Sequence, residues 1–156
     1  MRSSRWLIGA IALSLTLTGA VWAAGVDVNA DSDGLALRGY DPVAYFTADA
    51  PTKGKDEITV VHEGATYRFA SEENRAAFQQ NPGAYVPAYG GFCAFGTAMG
   101  YKVDGDPAVW RIVGDVLYLN YSEGVKKRWE GDIPGFIGSA DAKWTEIADK
   151  APEELR

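Results

Sequence analysis

Apolar and polar residues alternate over two stretches of strand length, and each stretch is divided by a two-residue turn pair. In residues 58–70, Ile58, Val60, Val61, Tyr67 and Phe69 are strand-forming side chains, with Glu63-Gly64 between the arms where a tight turn can use a glycine at positive φ. In residues 110–121 the arms flank Gly114-Asp115, a pair that favours primed hairpin turns. A serine follows each hairpin. Ser71 precedes Glu72-Glu73, whose charges suit a helix start, and the helix is expected to run to about Gln80, where Asn81-Pro82 ends it and Phe78 is its core anchor. Ser122 is placed to cap a second helix over residues 123–129. Beyond the break at 131–134, Ile133, Phe136, Ile137, Ala140, Trp144 and Ile147 recur at helical spacing. Two hairpins alternating with short helices, and no long βαβ crossover, predict a small single α+β domain. No internal repeat is evident beyond the hairpin-then-helix order itself.

The pattern changes at the N-terminus. Arg2 and Arg5 precede an apolar run from Trp6 to Leu17, and Val21-Trp22-Ala23 then offers small residues at a cleavage position. This is the layout of a secretory signal over residues 1–23, too short for a membrane span and without stop-transfer charges behind it. Cleavage near Ala23 would deliver the chain to the periplasm or outside the cell with no stable membrane anchor. Residues 24–34 are polar and rich in aspartate, which predicts a flexible lead. The domain is then expected over 35–150, with a short tail at 151–156.

The full chain carries a formal charge of −6, and loss of Arg2 and Arg5 with the signal removes two positive charges and no acid, leaving −8. Nucleic acid and anionic lipid are poor partners for such a chain. Oligomeric state has no signature in the pattern.

Candidate chemistry is sparse. The chain has one cysteine, Cys93, and one histidine, His62, so no four-ligand zinc pattern and no disulfide can form within it. His62 lies near a hairpin tip, the place of an exposed turn residue. No glycine-rich phosphate loop stands in the required strand-to-helix context, and a conventional enzyme is not indicated. Three readings remain open. Cys93 with Met99 supplies thiolate and thioether donors suited to copper, or to zinc if His62 joins them. Alternatively, the aromatic residues around the Gly-Gly loop, with Tyr40, Asp41, Tyr89, Gly90, Gly91 and Tyr101 as lining candidates, form a metal-free pocket for a small molecule or a protein segment. A single-thiol redox role for Cys93 is the third. Against the first and third stands Cys93 as a buried small residue between Phe92 and Phe95, with Met99 as core filler.

The order Gly39-Tyr-Asp-Pro-Val-Ala-Tyr-Phe46, Tyr67-Arg-Phe-Ala-Ser-Glu-Glu-Asn-Arg-Ala-Ala-Phe78, Asn81-Pro-Gly-Ala-Tyr85 and Tyr89-Gly-Gly-Phe-Cys-Ala-Phe-Gly96 resembles exported bacterial proteins of the YHS domain family. The resemblance continues through Gly100-Tyr-Lys-Val103, Asp106-Pro107, residues 117–121 and Trp129. It implies the same small fold and, by analogy with related metallochaperone-like domains, transition-metal binding through cysteines. Ala44, Ala70 and Asn74 stand where those cysteines would be, so the implied scaffold is kept and its thiolates are not.

Overall fold

The structure is a computed structural model and describes residues 26–155. The expected signal and its cleavage position lie outside the described residues. A 3-10 turn at Leu37–Gly39 leads into α1 (Ala44–Thr47), then the hairpin β1 (Lys55–His62) and β2 (Ala65–Phe69), then α2 (Glu72–Gln80). A further 3-10 turn, Ala88–Gly91, leads into α3 (Ala94–Ala98), the hairpin β3 (Asp106–Val113) and β4 (Val116–Asn120), α4 (Glu123–Trp129) and α5 (Ile133–Ile147). The two hairpins are separate antiparallel sheets, so the chain is a small α+β domain.

Both turns have the primed geometry, with positive φ at Glu63 and Gly64 and at Gly114 and Asp115. Both serines cap as expected: the Ser71 hydroxyl accepts from the Asn74 N–H and the Ser122 hydroxyl from the Val125 N–H. Residues 55–57, outside the hairpin expected over 58–70, also belong to β1. The ladder pairs Thr59 with Arg68, then slips through a bulge to pair Lys55 with Phe69, and the bulge lets a polar run continue the strand.

The two halves repeat one plan at a constant sequence separation, which the amino-acid pattern did not reveal. β1 and β3, β2 and β4, Ser71 and Ser122, and Phe78 and Trp129 correspond one to one. The second hairpin bulges at the same place, between Asp106 and Trp110. Tyr67 packs on Phe78 with ring centroids 5.0 Å apart, and Tyr118 packs on Trp129 at 5.5 Å. Side-chain identity differs at most of these positions, so only the backbone plan survives to be seen.

Each half has its own apolar cluster. Tyr67, Phe69, Phe78, Ile58, Val43 and Tyr45 centre the first, and Tyr89, Ala94, Tyr118, Trp129 and Ala140 the second. Strand β4 joins them through its alternation: Leu117 and Leu119 enter the first cluster and Tyr118 the second.

The polar segment expected as a flexible lead is packed down over its described part. Val28 is buried in the first cluster, Asn29 N–H donates to the Gly90 carbonyl at 2.9 Å, and Ala30 bridges to Ala36. One apolar residue and a row of backbone donors were enough to seat it, against the general tendency of aspartate-rich leads.

Candidate functional site

Asp41 is fully buried, and its carboxylate is held by four donors. Oδ1 accepts from the N–H groups of Val43 at 2.8 Å and Ala44 at 3.3 Å; Oδ2 accepts from the Ala70 N–H at 2.8 Å and the Asn74 amide at 2.7 Å. The start of α1, the end of β2 and the first turn of α2 thus meet on one side chain. Ala44, Ala70 and Asn74 are the positions where the family resemblance places cysteines, and here they surround a carboxylate whose lone pairs are already taken. That donor set does not fit a metal ion. Among the described residues, no group of three or more His, Cys, Asp and Glu side chains is arranged to hold one.

Cys93 occupies the corresponding place in the second half. The Asp41 N–H donates to the Thr52 carbonyl, and the Cys93 N–H donates to the carbonyl of Val103, the counterpart of Thr52. The thiol is 2 % exposed. Its Sγ receives the Gly96 N–H at 3.4 Å and lies 3.6 Å from Oδ1 of Asn120, which also accepts from the Phe95 N–H at 3.3 Å. Burial pushes the thiol pKa up, and the backbone N–H groups of Gly96, Tyr121 and Phe95 pull against it. Asn120 is fully buried, and its Nδ2 has no hydrogen-bond partner among the described residues.

The other metal candidates are not near this thiol's shell. Met99 ends α3 with 47 % of its surface exposed, so it is not core filler. His62 is half-buried against the first cluster, edge-on to Phe78 at 5.7 Å, and is not the exposed turn residue expected: the I′ turn lies beyond it and α2 covers its ring. Cys93 belongs to the second half, Met99 points outward and His62 belongs to the first half.

The pocket expected around the Gly-Gly loop is filled by the chain itself. A Cβ at Gly90 would overlap the Asp27 carbonyl oxygen, and Asn29 Nδ2 donates to the Gly91 carbonyl at 3.2 Å. The close backbone approach that these glycines permit is therefore used by residues 27–29. Tyr89 is buried and donates its hydroxyl to Asp141 Oδ1 at 2.8 Å, and burial raises its pKa. Tyr40 lies under Lys53, whose Nζ is 4.1 Å from the ring centroid. Of the lining candidates, Tyr101 borders a cleft of about 300 Å³ shared with Lys102, Val103, Asp104, Tyr121 and Pro152, and Gly91 borders a smaller cavity of about 60 Å³ with Asn29 and Asp104.

Tyr121 was missed in the sequence, where it reads as the last residue of a strand. It is 58 % exposed and Tyr101 49 %. Lys102 between them is 6 % exposed, with Nζ donating to the carbonyls of Val26, Ala148 and Lys150 at 2.7–2.8 Å and lying 5.1 Å from the Trp144 ring centroid. The lysine is thus committed to structure, and the cleft presents phenol rings, an aliphatic side chain and the exposed Asp104 carboxylate.

Fold and site together define a two-part α+β domain with an exposed tyrosine cleft and two buried donor-lined side chains. Comparisons with family models, with curated proteins and with solved structures found no match for this chain.

Proposed function

We propose that this chain is an exported binding module of the YHS type, not an enzyme, and that it takes its ligand in the cleft between Tyr101 and Tyr121. The observation that carries the reading is the exposure of Tyr101, Val103 and Tyr121 around one concavity, while most other aromatic rings are buried or half-buried. Two accessible phenol rings with a valine between them suit a flat apolar or aromatic group, and their hydroxyls suit a polar edge on it. Export is inferred from the pattern of residues 1–23. The separation of His62 from Cys93 supports a non-catalytic role, since the one histidine is not placed to act as base for the one thiol.

Metal handling through Cys93, Met99 and His62 is the alternative, and it has less support because the three lie in different surroundings. Copper or zinc at Cys93 would need ligands from outside the chain. Native mass spectrometry tests both readings on the processed protein as isolated, and again with Cu(I) or Zn(II). The expected result is an organic adduct lost in the Tyr101→Ala/Tyr121→Ala variant. A stoichiometric metal adduct lost in Cys93→Ser would replace the binding reading with metal handling.

A further inference from the structure

We propose that Cys93 is an oxidation site whose resting product is the sulfinate, held in the second half as the Asp41 carboxylate is held in the first. The inference is independent of the tyrosine cleft and rests on two observations.

The first is the match between the two surroundings. Asp41 is met by the N–H groups of the residues two and three positions after it and by that of Ala70, just after β2. Cys93 Sγ accepts from the Gly96 N–H, again three positions on; the N–H groups of Phe95, two positions on, and of Tyr121, just after β4, lie beside the thiol, that of Phe95 donating to Asn120 Oδ1 in the reduced state. A cysteine sulfinate carries two oxygens and one negative charge on a side chain of nearly the same shape as aspartate. The first half shows that this frame holds such a group when buried.

The second observation is Asn120. In the first half the fourth donor is the Asn74 amide. In the second half Asn120 lays its amide against the thiol, with Oδ1 3.6 Å from Sγ, while Nδ2 of the same amide is buried without a partner. A half-turn about the side-chain amide exchanges the two atoms and aims the unpaired N–H at the sulfur position. A neutral thiol leaves that donor idle; a sulfinate oxygen would accept from it. An orphaned buried amide is costly, so its presence next to the only cysteine is what a second state of the thiol would account for.

The oxidant is a hydroperoxide. In the first step the O–O bond breaks, an S–O bond forms, sulfur loses two electrons and the peroxide leaves as water or alcohol, giving the sulfenic acid. A second equivalent repeats the step to give the sulfinic acid, which releases its proton. There is no second cysteine to divert the sulfenic acid into a disulfide within the chain. Burial makes both steps slow, and the enclosing donors hold the chain at two oxygens.

The test is hydrogen peroxide treatment of the processed protein, carried in a Met99→Leu background, with intact mass followed by fragment localisation. The expected result is a gain of two oxygen atoms at Cys93 that accumulates without proceeding to three. A cysteine that stays unmodified while folded, or that runs on to the sulfonate, overturns the proposal. Cys93→Asp gives a second readout that needs no oxidant. It should melt at or above the temperature of Cys93→Ala, whereas a carboxylate placed in an ordinary apolar core unfolds a small domain. Melting well below Cys93→Ala, or failure of Cys93→Asp alone to fold, overturns the proposal as well.

Discussion

Asp41 carries more of the fold than any other polar side chain described. It stands before Pro42, and its carboxylate binds the local backbone through Oδ1 and distant donors through Oδ2. Removing the side chain orphans the N–H groups of Val43, Ala44 and Ala70 together with the Asn74 amide. At about 1–3 kcal/mol for each buried unsatisfied group, partly relieved by water, Asp41→Ala should lose about 3 kcal/mol or more of stability. Asp41→Asn, which keeps one acceptor oxygen, should lose less. Urea denaturation measures both; equal stability of Asp41→Ala and the parent would show that the frame carries no load. The turn was legible in the sequence because aspartate before proline is a local signal. The partners were not, since they arrive from 29 and 33 residues further on. Tyr121 was missed for the same reason. Its exposure depends on Tyr101 and Pro152 being brought beside it, and no local pattern encodes that meeting.

At the scale of elements, what could be read was what is locally determined. Both hairpins follow from their turn pairs and both following helices from their serine caps, because each signal lies within four residues of the structure it makes. The 3-10 turns were opaque. Leu37, Arg38 and Tyr89 adopt positive φ there without being glycine, a conformation that tertiary packing imposes against residue preference. The seating of residues 28–30 was opaque as well, because it depends on Gly90 leaving room for the chain to pass. The repeated plan supplies its own check. Ser71→Ala and Ser122→Ala remove equivalent caps from helices in different clusters, so each should lose about 1 kcal/mol and the double variant about the sum. Chemical denaturation of the two single variants and the double variant reads this directly. A double variant much less stable than the sum would mean that the halves are coupled through more than β4.

Across the whole molecule, the ends of the described chain meet on Lys102. Its ammonium donates to the Val26 carbonyl at one end and to the Ala148 and Lys150 carbonyls at the other, so it closes α5 and pins the N-terminal segment at once. Burial lowers its pKa, and nearby Asp27, Asp149 and Glu154 oppose that shift. Lys102→Met keeps much of the stem's packing against Phe92 and Trp144 but removes the three donors. Hydrogen bonds to a charged group contribute roughly 1.5–3 kcal/mol, so amide exchange at Asn29 and Ala30 and at the end of α5 should quicken at least tenfold while β2 and β4 hold their protection. Uniform quickening throughout the chain would instead mark Lys102 as part of the global core.

The duplicated plan also bears on how such a chain could have arisen and diverged. A single half, alone, would leave uncovered the face that Leu117 and Leu119 now bury, and its simplest cover is another copy of itself. Fusion of two copies relieves the chain of that symmetry. Once the copies are joined, one frame can keep its aspartate while the other is free to take a different side chain, here Cys93.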